Sequence, residues 1–287
     1  MSTPDPFHFT FDVRPDDPPE GERWSSYDGA THGPSPQPAW VITDLAAVES
    51  DLGILKSGKE ADVHLIRRWL PSDPEADAGA HPAPVATREN LLAAKRFRTS
   101  HHRLFHRDAG YLEGRRVAES REMRALVGRT RYGRDVIARQ WAGAEFQALA
   151  MLWSHGLPVP YPVQLTSGEM LMEFIGTDGV AAPRLASTRP RPGEVADLAE
   201  QARDIVVALA AMGYAHGDLS AYNVLLHDGR LVVIDWPQIV DIIANPQGFD
   251  YLRRDVENLF GWFTRKGADL DLEHVFGDAV AAATSHW

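Results

Sequence analysis

Asp218, Asn223 and Asp235 carry the side chains that phosphoryl transfer needs, at spacings that can bring them together. They lie within residues 215–241, AHGDLSAYNVLLHDGRLVVIDWPQIVD. Asp218 and Asn223 are five apart on a polar turn, and Asp235 follows twelve residues later at the end of the apolar run 231–234. A strand at 224–226, a turn at His227-Asp228-Gly229 and a return strand would set Asp235 beside Asn223. Magnesium is a hard ion that takes one or two protein oxygens together with phosphates. Asn223 and Asp235 suit it, with manganese as an alternative ion, and Asp218 is left to orient or accept the proton of an attacking hydroxyl. The competing reading is a solvated turn with incidental acids.

The phosphate end of such a site needs cations. Only four of the 29 basic residues are lysines, Lys56, Lys59, Lys95 and Lys266, so a chain that otherwise uses Arg keeps Lys at few places. Lys95 lies in the apolar stretch 91–97, read as a strand. A strand Lys that grips nucleotide phosphates must be held by a carboxylate from a packed helix, and Glu145 sits inside the next predicted helix. Lys95→Ala is therefore expected to weaken nucleotide turnover severely and to leave the fold intact. Residues 53–60, GILKSGKE, nearly match the phosphate loop G-x-x-x-x-G-K-[ST], but Glu60 follows the Lys and the chain continues as a strand. A glycine-containing turn between two strands fits better, with Ser57 and Lys59 near the phosphates.

The elements that must position these residues can be read from periodicity. Residues 1–38 are rich in Pro, Asp, Gly and Ser without hydrophobic period, which predicts a mostly disordered acidic tail. Trp40, Val41, Ile42, Leu45, Val48 and Leu52 fit a short helix, and residues 61–66 alternate as a strand. A Pro/Ala loop occupies 71–88. Helices are predicted over 136–155, stopped by Gly156, and over 194–212 and 249–266, with a strand at 171–175. The order implies two lobes around a cleft, placed at 39–172 and 173–287. On the last of these helices, Asp255 would brace the loop around His216 if buried; a surface charge cluster of Arg253, Arg254 and Asp255 is the alternative.

Composition excludes several classes. There is no Cys, hence no disulfide staple and no thiolate metal site. The longest apolar run, near 205–211, is too short to span a bilayer, and the N-terminus lacks the basic and apolar regions of a secretory signal, so a cytoplasmic protein without membrane partners is expected. The net charge of −11 argues against non-specific nucleic-acid binding, yet residues 96–139 hold twelve Arg against five acids. That block could face RNA or ATP phosphates, or form a solvated Arg-rich helix and loop.

Taken together, the strings SGKEADVHL, AAKRFRTS, WAGAEFQAL, GLPVPYPV, MEFIGTDGVAAPRL, HGDLSAYNVLL, VVIDWPQIVD and FDYLRRDVENLFGWF make the chain resemble the RIO family of atypical protein kinases, most closely its first subfamily, over roughly residues 52–265. The resemblance implies an α+β, bilobal protein-kinase-like fold with a β-rich N-lobe and a reduced helical C-lobe lacking the activation segment. It implies Asp218 as catalytic base, Asn223 and Asp235 as magnesium ligands, Lys95 paired with Glu145, and the backbone of Glu173 and Ile175 holding adenine. It further implies ATP as the nucleotide and a protein Ser or Asp235 itself as phosphate acceptor; the 71–88 insertion and the acidic tail fall outside the resemblance, which leaves the family's ribosomal partners open for this chain. Gly217 stands where ordinary kinases place Arg, and Trp236-Pro237 where they place Phe-Gly. The nearest rival is a small-molecule phosphotransferase of the aminoglycoside or choline kinase type, which usually needs more helices than the fifty-odd residues after Asp235 can supply. A non-enzymatic ATP-gated module acting on ribosomal particles is the second rival.

Overall fold

The protein is described by a computed structural model covering residues 18, 21–58, 61–71, 88–98, 131–237 and 239–285. Seven strands make one antiparallel sheet: β1 Arg23–Trp24, β2 Thr31–His32, β3 Val48–Ser57, β4 Ala61–Trp69, β5 Glu89–Phe97, β6 Pro162–Leu165 and β7 Glu169–Glu173, in the order β1-β3-β4-β5-β7-β6-β2. Helix α1, Arg131–Ser154, packs against β6 and β7. Short strands β8 Gly176–Thr177 and β9 Val180–Ala181 lead to the second lobe. That lobe holds α2 Pro192–Ala211, β10 Tyr214–Ala215, β11 Val224–His227, β12 Arg230–Val233, β13 Val240–Asp241, α3 Gly248–Arg265 and α4 Leu272–Thr284. Its core interleaves Leu198, Ile205 and Leu209 of α2 with Val256, Phe260 and Phe263 of α3 and Val275 and Ala279 of α4.

Local chemistry accounts for most boundaries. α1 ends where Gly156 takes φ +78°, which lets the Leu157 N–H reach the Leu152 carbonyl at 3.1 Å, a closing bond that needs a left-handed residue. Pro192 begins α2, and Glu194 reaches back to the Arg191 N–H at 2.8 Å. The β11–β12 hairpin turns on Asp228 at φ +48° and Gly229 at φ +74°, the pairing of positive φ values that matches strand twist. The Asp271 side chain caps α4, an element the periodicity reading did not single out.

Two expectations fail here, both through long-range pairing. The predicted helix over 40–52 gives way to β3, because Val48, Glu49 and Ser50 register with Trp69, Arg68 and Arg67 of β4, and a sheet partner outweighs a helical spacing of six apolar residues. Within the predicted tail, Arg23–Trp24 and Thr31–His32 are strands of the sheet. β1 pairs with β3, β2 pairs with β6, and Arg23 bridges Glu49 at 2.7 Å and also meets Glu169. Buried Arg68, Glu49 and Gln164 hydrogen-bond beneath this strap. Residues 1–17 and the loop residues 72–87 lie outside the described chain.

A charged cluster on β3 gives a pH prediction. Burial pushes the Asp51 carboxyl up, but Arg96 at 2.6 Å, the Gly53 N–H and His64 together hold it down at about 2. A lowered acid contributes stability above its unfolded value and loses it as pH falls through the folded one, here between about pH 4 and about pH 2. Because the carboxyl is 38 % exposed, the contribution is a few tenths to about 1 kcal/mol. Urea unfolding at about pH 5 and about pH 2.5 should show Asp51→Asn with a smaller acid-limb loss than the parent chain.

Candidate active site

Between the sheet and the helical lobe lies a cavity of about 710 Å³, lined among others by Val63, Ala93, Lys95, Glu145, Asp218, Asn223 and Asp235. Its volume is in the range of small-molecule sites. β5 runs beside β4 and β7, and α1 carries Glu145 to meet it. Lys95 Nζ donates to Glu145 Oε1 at 2.6 Å and Oε2 at 2.7 Å, and to Asp235 Oδ1 at 3.1 Å. Burial disfavours the Lys95 ammonium, yet Glu145 and Asp235 outweigh it and hold the group above the usual lysine range. Burial likewise works against the Asp235 carboxylate, and Lys95, then Lys56 and His216, hold it below the usual range. The linkage signs agree: the charge on Lys95 survives as pH rises past the ordinary lysine value, and that on Asp235 as pH falls below the ordinary aspartate value. The pair therefore stays ionised across the neutral range.

The hairpin returns as its spacing predicts. Val224 faces Val233, and the Ile234 N–H donates to the Asn223 carbonyl at 2.9 Å, which sets Asp235 beside Asn223. Asp235 has φ +69°, a left-handed conformation that costs a non-glycine residue energy. The Asn223 Nδ2 donates to the Asp218 carbonyl at 2.9 Å, which fixes the amide and leaves its oxygen as the candidate ligand atom. With Asp235 this makes a two-oxygen set suited to a hard cation, and among the described residues no cluster of three or more carboxylate or imidazole ligands competes with it.

The loop that carries Asp218 is fastened from below. Asp255 on α3 is buried and accepts the Gly217 N–H at 2.8 Å and the Leu219 N–H at 2.7 Å. Burial pushes its carboxyl up, against the pull of His216 and these N–H groups. His216, also buried, packs on Trp236 with ring centroids 4.4 Å apart, its Nε2–H donating to the Ile234 carbonyl at 3.3 Å while Nδ1 accepts the Asp218 N–H at 3.4 Å. The alternative of a surface charge cluster therefore does not apply to Asp255. Asp255→Ala strands the buried Leu219 N–H and the half-buried Gly217 N–H, so chemical denaturation should register a loss of about 2–3 kcal/mol, with catalytic rate falling more than substrate binding. A destabilisation below about 0.5 kcal/mol would contradict the brace.

Other sequence candidates fall differently. Glu173 and Ile175 both line the cavity. The Glu173 N–H donates to Tyr161 and the Ile175 carbonyl accepts from Ala182, whereas the Ile175 N–H has no protein acceptor among the described residues. Ser57 does not line the cavity: its hydroxyl donates to Asp62 at 2.5 Å and accepts from Arg98 at 2.6 Å. Lys59 and residues 99–130 of the Arg-rich block lie outside the described residues. Lys56 and Arg184, which the sequence reading passed over, do line the cavity. The scarcity of Lys was the one available sign of the first.

Comparison with known proteins places this geometry. A family profile described as "RIO domain" matches residues 84–275. The chain belongs to the RIO family of atypical protein kinases. It is 34% identical over 230 residues to the RIO-type serine/threonine-protein kinase Rio1 of Haloferax volcanii, covering 79% of this chain and 69% of that protein. To serine/threonine-protein kinase RIO1 of Saccharomyces cerevisiae it is 28% identical over 264 residues, 85% of this chain but 49% of that one. Against RIO1 of Chaetomium thermophilum it spans 32% of the relative's length. Among solved structures, the Rio2 kinase–ADP/Mg2+–phosphoaspartate complex from Chaetomium thermophilum matches with a TM-score of 0.51 at 18% identity, covering 82% of this chain and 66% of that one, a likeness of fold. The sheet, the cleft and the helical lobe of this RIO chain are thus kinase-like. Only residues 236–247 separate Asp235 from α3, in keeping with a reduced C-lobe. No helix among the described residues is long and apolar enough to cross a membrane.

Proposed function

We propose that this RIO chain transfers the γ-phosphoryl group of ATP, with magnesium, to a protein serine or to its own Asp235. The single observation that carries the reading is Lys95, held at 2.6 Å by Glu145 and at 3.1 Å by Asp235 inside the cavity that also presents Asp218 and Asn223. Lys95 would hold the α and β phosphates, with Glu145 fixing its direction. Glu173 and Ile175 would take the adenine edge through their backbone. Asp218, exposed and beside the loop anchored by Asp255, would accept the proton of an incoming hydroxyl. Asn223 and Asp235 would hold the magnesium, which supplies charge neutralisation of the phosphates when bound.

Transfer to Asp235 is supported by one further feature. Its carboxylate is 44 % exposed toward the cavity, and only one of its oxygens has Lys95 as partner. In that branch a carboxylate oxygen attacks the γ-phosphorus, the bond to ADP breaks, and water later hydrolyses the acyl phosphate to phosphate and free Asp235. The fold neighbour is a phosphoaspartate complex of another RIO protein. The partners in this proposal are ATP, a protein substrate and, through the Arg-rich block 96–139, an acidic ribosomal or RNA surface; a cytoplasmic location accompanies it.

The test is incubation with γ-labelled ATP and magnesium. Phosphorylation of an added protein that survives acid supports serine transfer. Label on the chain that hydroxylamine releases, and that Asp235→Asn abolishes, supports the aspartyl branch. Failure to bind ATP at all overturns the reading.

A further inference from the structure

Lys56, an exposed residue of β3, and Arg184, beside β11, both line the cavity, and the functional reading above uses neither. Lys56 is there because β3 is irregular. Asp51 and Gly53 pair with the consecutive residues Ile66 and Leu65, and Ile54 and Lys56 with His64 and Val63, so Leu52 and Leu55 are each left out of the ladder. Each bulge resets the alternation of faces, and Leu55 and Lys56, neighbours in sequence, both come to line the cavity. An unbroken strand would send one of them to the opposite face.

Arg184 arrives on the helical side. Its backbone bridges Leu225 of β11, and its Nη1 donates to the Tyr222 carbonyl in the loop between Asp218 and Asn223. That bond fixes one arm of a planar five-donor group and leaves donors for a ligand. Among the described residues Lys56 has no ion-pair partner. Burial and the Arg184 charge draw its ammonium below the usual lysine range, against the pull of Asp235. Two cations lining one pocket repel each other, Asp235 offsets this only in part, and an anion placed between them relieves it.

We propose that Lys56 and Arg184 form a two-sided clamp on the phosphate chain of the bound nucleotide, and that the clamp sets the preference for a triphosphate over a monophosphate or a nucleoside. This rests on the nucleotide-binding reading above and adds two binding residues to it. The clamp joins the sheet to the helical lobe through the ligand.

Calorimetric titration of the full chain with ATP, AMP and adenosine in magnesium buffer tests the idea on Lys56→Met, Arg184→Met and Lys56→Arg. Each Met variant should bind ATP about tenfold more weakly, the size of a lost charge-assisted contact at a partly exposed site. Adenosine affinity should stay within about twofold, so the ATP-to-AMP ratio falls, and Lys56→Arg should stay near the parent. Thermal melts confirm that the variants are folded, and Arg184→Lys provides a second, charge-retaining variant if Arg184→Met is not. The clamp is overturned if either position leaves ATP affinity unchanged, or if adenosine weakens as much as ATP. A parent chain that binds adenosine but shows no preference for ATP also overturns it. A parent chain that binds neither ligand overturns the nucleotide reading itself.

Discussion

Asp218→Asn is expected to keep its fold and its ATP affinity while phosphoryl transfer falls roughly 100- to 10,000-fold, the usual worth of a positioned general base. The substitution is nearly isosteric. The contacts that hold the loop are backbone ones: the Gly217 and Leu219 N–H groups on Asp255, the Asp218 N–H on His216 and the Asp218 carbonyl on Asn223. None of them uses the Asp218 carboxylate, so the loop should survive and only the proton acceptor be lost. Single-turnover transfer at saturating ATP, beside a direct binding titration, separates the two quantities. Transfer within threefold of the parent would remove Asp218 from the chemistry. If a cellular function persists in a variant that no longer turns over ATP, the ATP-gated binding module becomes the better account.

Lys95→Met should have two large effects that a second substitution can separate. Turnover should fall by at least about 100-fold because the phosphates lose the cation that orients them. Stability should fall as well, by about 3–5 kcal/mol, because Glu145 is 3 % exposed and would be left as a buried carboxylate without its ammonium. The sequence-based expectation that Lys95→Ala leaves the fold intact therefore needs revision, because the structure buries the pair. Adding Glu145→Leu to Lys95→Met replaces the ion pair by apolar groups and should recover most of the stability in denaturant melts, without recovering turnover. Recovery of turnover in the double variant would assign Lys95 a structural role only, and an unchanged melt in the single variant would show that Glu145 finds another partner.

Much of the hairpin half of the candidate site was legible because its residues are close in sequence. Asp218, Asn223 and Asp235 lie within one loop and one hairpin, and an Asp-Gly turn between two apolar runs specifies the register that brings Asp235 back to Asn223. The Lys95–Glu145 pair was legible for a different reason: a lone lysine in an apolar strand demands a carboxylate, and the following helix offers one. The phosphate-loop assignments were weaker. Ser57 is engaged by Asp62 and Arg98 in exposed hydrogen bonds, and the cation of this strand that lines the cavity is Lys56. No periodicity argument reveals a bulge, because a bulge is a mismatch between two strands and is absent from either one alone. The segment 21–38 misled for a related reason, since its order comes from pairing with β3 and β6 and from Arg23 on Glu49, partners outside its own composition.

The sequence by itself determined the chemistry available to this protein: candidate oxygen ligands and a free carboxylate on one loop and hairpin, a lysine demanding an acid, no cysteine, and helices bounded by Pro192 and Gly156. These are local properties, set by neighbours within a few residues through turn geometry, capping and hydrophobic period. The tertiary structure alone decided which side chains share the cavity. Glu145 reaches Lys95 across fifty residues, Asp255 reaches the Gly217 amide across thirty-eight, and Arg184 reaches the Tyr222 carbonyl across another thirty-eight. Contacts of that reach depend on how strands register and lobes pack, which is a property of pairs of elements and is written in neither one alone.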